Sequence, residues 1–125
     1  MDPSTTIGQL KDAALRFRDA RNWKQFHDPK NLSIGLAVEA AELQELFLWK
    51  TDEEVTELLA SEKGRDRMRE EIADMLVFLL YLSDSCGIDL ADSVFRKIAL
   101  NERKYPVDKS YNSNRKYDEL DSGAY

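Results

Sequence analysis

The chain has 125 residues, enough for one domain that buries an apolar core without disulfide bonds. Its formal charge of −6, from 18 basic and 24 acidic residues, argues against a general binder of duplex DNA, which needs a basic face. It does not exclude a nucleotide ligand, because a bound cation can bridge acidic side chains and phosphate.

The sequence also predicts a reduced, cytoplasmic protein that does not cross a membrane. Cys86 is the single cysteine, so an intrachain disulfide and a cysteine-based metal site are excluded. The N-terminal MDPSTTIGQL lacks the basic and apolar segments of a signal peptide. The longest apolar run, residues 75–82, is far too short for a membrane span.

Apolar periodicity and capping residues predict helices separated by short loops. Asp28-Pro29 disfavours helix, Asn31 is a good N-cap, and a capping box starts at Thr51. Gly87 and Pro106 are expected to end the last two helices. The expected ranges in chain order are 4 or 5 to 21, 31 to 49 or 50, a short charged helix from 51 to about 64, 66 to 85, and 89 to 105.

No segment alternates clearly between apolar and polar residues, so the expected fold class is all-α. We expect a four-helix-bundle-like arrangement with an additional short helix and an extended C-terminal tail. Residues 1–108 would form the domain, and the polar residues 109–125 would form a tail that is ordered only by docking. Residues 75–82 are apolar nearly all round, so their helix should be central or buried by a second subunit.

Two acidic pairs, Glu39 with Glu42 and Glu71 with Asp74, are the most informative feature of the sequence. Their i,i+3 spacing projects both carboxylates of a pair from one side of a helix, a side that also carries large apolar residues. Acidic pairs are usually solvated. Two pairs on core-forming helices would instead repel one another and lose hydration unless a cation compensates. Oxygen ligands favour a hard ion such as Mg²⁺, with Mn²⁺ as a substitute.

The aromatic and basic residues have both a structural and a functional interpretation. Aromatic residues around the second predicted helix are most simply core or interface residues, although their faces can also stack on a nucleobase. Basic residues near the C-terminus are ordinarily solvated, but a triphosphate would need such cations. These residues are Trp23, Phe26, His27 and Trp49, and Arg103, Lys104, Lys109, Arg115 and Lys116. A di-iron site is not expected, because the single histidine lies in a loop and not in a Glu-x-x-His motif.

A family resemblance covers nearly the whole chain and rests on VEAAELQELFLWK, EEIADMLVFLLYL, NERKYPV, the loop NWKQFHDPKNL and the tail RKYDEL. Together these segments resemble the all-α MazG-type nucleoside triphosphate pyrophosphohydrolases, most closely their dCTP pyrophosphatase branch. The chain departs from the pattern at Phe78, where relatives carry tyrosine, and at Val38, where the wider family has glutamate. The first departure bears on base selectivity, and the second favours the dCTP pyrophosphatase branch.

The resemblance implies a catalytic metal site and a substrate pocket shared between subunits of a homo-oligomer, either a dimer or a dimer of dimers. The implied Mg²⁺ ligands and catalytic residues are Glu39, Glu42, Glu71 and Asp74. The implied substrate-binding residues are Trp23, His27, Trp49, Phe78, Asn101, Lys104, Lys116 and Tyr117, the last two from a tail over a neighbouring subunit. No nucleic-acid polymer and no membrane is expected as a partner.

The resulting hypothesis is an Mg²⁺-dependent enzyme that cleaves a (deoxy)nucleoside triphosphate between its α and β phosphates, clearing unwanted nucleotides from the pool. The substrate would be dCTP or a modified dCTP, and the products the monophosphate and pyrophosphate. Either Glu42 or Glu71 would accept the proton of the attacking water. Two alternatives stay open: a dUTP-type or broad-specificity all-α hydrolase, and a non-enzymatic helical oligomerisation module.

Overall fold

The computed structural model of the chain describes residues 1–120, and these residues form helices and turns without a strand. The helices are α1 (Ile7–Asp19), α2 (Pro29–Glu45), α3 (Asp52–Ala60), α4 (Glu62–Cys86), α5 (Leu90–Lys104) and α6 (Val107–Ser110). Short 3-10 turns cover Asp2–Ser4, Lys24–Phe26 and Tyr117–Glu119. The predicted all-α fold with an additional short helix is confirmed. No helix in the described range is long and apolar enough to cross a membrane.

The start of α2 differs from the prediction because the proline opens the helix. Asp28 is the N-cap: its Oδ1 accepts a hydrogen bond from the backbone N–H of Asn31 at 2.8 Å. Pro29 occupies the first helical position, where the N–H that proline lacks would have no helical partner. The helix ends at Glu45, and the residues up to Trp49 form turns instead of continuing it.

The predicted boundary between the short third helix and the long fourth helix is also wrong. α3 ends at Ala60, and Ser61 caps α4 by accepting the backbone N–H of Gly64 at 3.0 Å. Gly64 is therefore a buried residue in the first turn of α4 and does not end the preceding helix. The far end follows the prediction, since Gly87 terminates α4 in the left-handed conformation with a φ of 63°.

Within Met1–Ile88, α4 is the central helix and packs against α1, α2 and α3. Leu32, Leu46 and Leu80 are the most deeply buried apolar side chains of this part. α2 and α4 approach closely at Gly35, where an added Cβ atom would collide with the ring of Phe78. This contact fixes the spacing of the two helices that carry the acidic pairs.

The part of the chain from Asp89 onward forms a second compact unit, which is described by itself. Asp89 caps α5 by accepting the backbone N–H of Asp92 at 2.9 Å. The stretch predicted to be extended contains the end of α6 and the 3-10 turn at Tyr117–Glu119. The proposed division into residues 1–108 and 109–125 stays a prediction, and residues 121–125 of that tail lie outside the described residues.

Candidate active site

Three of the four predicted metal ligands come together between α2 and α4. Glu39 and Glu42 lie one turn apart on α2, and Glu71 lies on α4. One carboxylate oxygen from each lies within 4.8 Å of the corresponding oxygens of the other two. Glu39 and Glu71 are half-buried, whereas Glu42 is exposed and leaves one side of the cluster accessible.

The like charges and the desolvation of this cluster are unfavourable without a compensating cation. The Oε2 atoms of Glu39 and Glu71 are buried and have no hydrogen-bond partner. Desolvation raises the pKa of both carboxyl groups, and the charges of Glu42 and Asp74 raise it further. Among the ion pairs found within residues 1–120, none neutralises these acids. A protein retains such an arrangement when a bound cation compensates it.

Asp74, the fourth predicted ligand, lies beside the cluster but outside the group of three. Its carboxylate is exposed, and it lies about one turn from Glu71 on α4. Its charge raises the pKa of Glu39 and Glu71. Asp74 also lines a cavity between α1 and α4. Asp74 therefore lines the cavity and lies on the same helix as Glu71 of the group of three.

The donor set fits a hard divalent cation. All of the candidate ligand atoms are carboxylate oxygens, which Mg²⁺ and Mn²⁺ prefer and which zinc and copper sites rarely use alone. The two unpartnered Oε2 atoms supply free lone pairs inside the cluster. The exposed side at Glu42 leaves room for further ligands such as phosphate oxygens or water.

The predicted substrate-binding aromatics are placed in different surroundings. Trp23 packs edge-on against Phe17 of α1 with 5.8 Å between ring centroids, and the ring of His27 lies 4.6 Å from that of Tyr81 of α4. Trp49 is 92 % exposed and adopts a φ of 63°, which is uncommon for a bulky residue. The roles of Trp23, His27, Trp49 and Phe78 in substrate binding stay predictions.

The predicted binding residues near the C-terminus are partly brought together in the second unit. The Lys104 ammonium lies 4.7 Å from the centre of the Tyr117 ring, a cation–π contact. Asn101 is half-buried on α5, and its carbonyl accepts the backbone N–H of Tyr105. The backbone N–H of Lys116 donates to Glu119 at 3.3 Å, so Lys116 begins the last 3-10 turn.

A buried ion pair between α1 and α4 was missed by the sequence analysis. Arg18 is only 3 % exposed, and its guanidinium donates to Asp84 at 2.9 Å and to Asp19 at 2.8 Å. The signal was available, because Arg18 follows Ala14 by four residues and so falls on the apolar stripe of α1. A buried charged residue on such a stripe needs a charged partner, which the half-buried Asp84 provides.

The cavity beside Asp74 was also not foreseen. It has a volume of about 420 Å³ and lies between α1 and α4. Its lining residues are Leu10, Ala13, Ala14, Phe17, Ala73, Asp74, Leu76, Val77, Leu80 and Tyr81. Ala13 and Ala14 of α1 and Ala73 of α4 are among these residues, and no local sequence pattern shows that small residues on two helices will line one opening.

Comparison with known proteins identifies the class to which this site belongs. A family model described as the MazG-like family matches residues 34–120, which include all four acids. The chain therefore belongs to the MazG-like family.

Individual relatives indicate which kind of enzyme within the family the chain resembles. The chain is 39 % identical over 122 residues to human dCTP pyrophosphatase 1, covering 98 % of this chain and 72 % of the relative. It is 40 % identical to dCTP pyrophosphatase 1 of Bos taurus over 119 residues, 95 % of this chain and 70 % of the relative. A crystal structure of a pyrophosphatase from Archaeoglobus fulgidus superposes with a TM-score of 0.72 at 44 % identity, covering 79 % of this chain and 91 % of the other. The predicted class of hydrolase, a nucleoside triphosphate pyrophosphatase, is confirmed at this level.

Proposed function

We propose that the chain hydrolyses a deoxynucleoside triphosphate, dCTP or a modified dCTP, between the α and β phosphates and requires Mg²⁺. The observation that carries this proposal is the group of three carboxylates within 4.8 Å, two of them with a buried oxygen that lacks a partner. The choice of dCTP is supported by relatives named dCTP pyrophosphatase 1. Hydrolysis of dUTP is the main alternative, and a panel of triphosphates distinguishes the two. The alternative of a non-enzymatic oligomerisation module is set aside, because the matched relatives are named as enzymes.

The acidic side chains would bind the cation, and the cation would bind the phosphates of the substrate. Glu39, Glu42 and Glu71 would bind the ion, and Asp74, about one turn from Glu71 on α4, would be the fourth ligand. When bound, Mg²⁺ neutralises polyphosphate charge and makes a water molecule more acidic. Mn²⁺ would serve as a substitute because it prefers the same ligand atoms.

The reaction requires a proton acceptor and a stabilised leaving group. The water oxygen forms a bond to the α phosphorus, the bond from that phosphorus to the bridging oxygen breaks, and pyrophosphate leaves. Glu42 or Glu71 would accept the proton of the water, and Glu42 is the more accessible of the two. A cationic group would balance the charge of the pyrophosphate, and the family resemblance predicts Lys104 and Lys116 as substrate-binding residues.

Pyrophosphate release by carboxamide variants tests this proposal. Glu42→Gln and Glu71→Gln keep the side-chain size but remove a charged ligand, so we expect each to lower kcat/KM for dCTP about a hundredfold or more. Glu57→Gln is the matched control, because Glu57 is an exposed glutamate on α3 and should leave the rate unchanged. Retained turnover in both active-site variants would contradict the assignment. A panel of dCTP, dUTP, dTTP, dATP and dGTP identifies the base.

A further inference from the structure

Arg18 is the only charged residue that is buried among residues 1–120. Its guanidinium joins two helices, because it donates to Asp84 of α4 at 2.9 Å and to its chain neighbour Asp19 at 2.8 Å. Apolar residues of the same volume are often at least as stabilising as a buried ion pair. The pair between Arg18 and Asp84 therefore calls for an explanation other than stability, and the segment that follows α1 supplies one.

The connecting segment, residues 20–28 between α1 and α2, is attached to Arg18 through the main chain. The carbonyl of Arg18 accepts the backbone N–H groups of Arg21 and Trp23, both at 3.1 Å. Asn22 lies between them with a φ of 53°, a left-handed conformation that suits asparagine in a tight turn. The position of Trp23 therefore follows from the position of Arg18.

The other end of the connecting segment packs on the same turn of α4 that binds Arg18. The ring of His27 lies 4.6 Å from that of Tyr81, and the Ser85 hydroxyl donates to the His27 carbonyl at 3.3 Å. The three contact positions on α4, residues 81, 84 and 85, are spaced i, i+3 and i+4 and so lie on one side of the helix. This turn of α4 contacts His27 directly and holds Arg18 through Asp84.

Two rings of the connecting segment lie next to the cavity that Asp74 lines. Trp23 packs against Phe17, and His27 packs against Tyr81. Phe17 and Tyr81 both line this cavity. A displacement of the connecting segment would therefore move two aromatic rings beside the opening at Asp74.

We propose that Arg18 and Asp84 are positioning residues for the proposed hydrolysis: their ion pair holds the connecting segment on α4 and thereby sets where Trp23 and His27 meet the substrate. The proposal rests on the proposed function and adds residues that act through others. Arg18 is 3 % exposed and its guanidinium binds two carboxylates, so it is not available to the substrate. The planar guanidinium donates in two fixed directions and therefore restricts the connecting segment more than a single contact would.

Steady-state kinetics of two variants tests the proposal with the triphosphate that the wild type hydrolyses best. Asp84→Asn keeps the side-chain size and removes the charge, and Arg18→Met removes the cation while keeping a long side chain. We expect each variant to raise KM about tenfold or more with little change in kcat, because a displaced connecting segment weakens substrate binding but leaves the acidic cluster in place. Asp66→Asn is the matched control, because it removes an exposed ion pair with Arg69 on the same helix and should leave KM unchanged.

The single histidine gives a second readout that does not depend on turnover. Proton NMR follows the titration of His27, whose pKa is lowered by burial and further by the Arg18 cation. We expect this pKa to rise towards its ordinary value of about 6.5 in Arg18→Met, which removes the cation. We expect a rise in Asp84→Asn as well. There the cation is still present, so the rise reports that the ring has left its buried position.

The outcomes distinguish this proposal from the proposed function. Thermal unfolding without nucleotide gives a temperature at which the variants are folded, and Asp84→Asn, at a half-buried position, serves alone if Arg18→Met does not fold. An unchanged KM in the folded variants of an active enzyme would overturn the positioning role and leave the hydrolase standing. An unchanged titration of His27 in Asp84→Asn would also overturn it. Failure of the wild type to hydrolyse any triphosphate would instead overturn the proposed function.

Discussion

At the scale of single residues, the acidic cluster combines like charges with lost hydration. Glu39 and Glu71 each keep a buried oxygen without a partner, and Glu42 adds a third carboxylate within 4.8 Å. Burial and the neighbouring charges raise the pKa of Glu39 and Glu71, so the ionised cluster opposes folding in the absence of a cation. The i,i+3 spacing predicted the pairs, but it could not predict that Asp74 lies outside the closest group.

Neutralising one acid should stabilise the metal-free protein and remove its response to metal. We expect Glu71→Gln to unfold at a higher temperature than the wild type in EDTA, because one of the repelling charges is gone. Addition of Mg²⁺ should raise the unfolding temperature of the wild type and of Glu57→Gln, but not that of Glu71→Gln. Differential scanning calorimetry checks both expectations. An equal rise in the unfolding temperature of all three proteins would show that the metal binds away from Glu71.

His27 should make stability depend on pH in the weakly acidic range. Burial lowers the pKa of its imidazole, and the nearby Arg18 cation lowers it further. The unfolded chain then takes up its proton first, at about pH 6.5, so the contribution of His27 to stability is complete above that pH and is lost as the pH falls. Urea unfolding of the wild type and His27→Gln from pH 7.5 to 5 isolates this effect. We expect the free-energy difference between them to shrink as the pH falls. A constant difference would contradict this account.

At the scale of the helices, capping residues predicted the presence of each helix more accurately than its boundaries. The capping box at Thr51 was read correctly, and it starts α3 at Asp52. The Asp28-Pro29 pair was misread, because Asp28 can cap a helix whose first residue is Pro29. Gly64 was misread as a helix end for a comparable reason, since Ser61 caps a new helix only three residues earlier. These boundaries depend on competition between neighbouring caps, which the sequence pattern alone does not resolve.

The close approach of α2 and α4 can be tested with a pair of glycine substitutions. Alanine usually stabilises a helix relative to glycine by about 1 kcal/mol or less. Gly35→Ala should instead destabilise the protein by about 1–3 kcal/mol, because its Cβ would collide with the Phe78 ring. Gly8→Ala is the control, since its Cβ meets only the Thr6 hydroxyl at 3.7 Å and should be neutral or slightly stabilising. Chemical denaturation measures the free energy of unfolding of both variants. A stabilising Gly35→Ala would contradict the close packing.

At the scale of the whole molecule, the described chain leaves many large apolar side chains exposed. Val94, Phe95 and Ile98 of α5 are 53 %, 73 % and 48 % exposed, and their spacing places them on one face of the helix. Such a face is typical of a surface that another chain covers. The sequence predicted a homo-oligomer only through its family resemblance, because helical periodicity does not show which apolar face has a partner within the same chain.

We therefore expect the protein to be a dimer or a dimer of dimers in solution. Phe95→Asp should reduce the mass measured by light scattering, because it places a charge in the apolar face of α5. Arg96→Ala is the control: it removes only an exposed ion pair with Asp92 and should leave the mass unchanged. A monomeric wild type would contradict this expectation.

The central claim is that the acidic cluster directs water to the α phosphorus of a nucleoside triphosphate when Mg²⁺ is present. Hydrolysis of dCTP in ¹⁸O-labelled water, followed by mass spectrometry of the products, tests this claim most directly. The account predicts the label in the monophosphate, unlabelled pyrophosphate, and no reaction in EDTA. Release of orthophosphate, label in the pyrophosphate, or an unchanged rate in EDTA would contradict it.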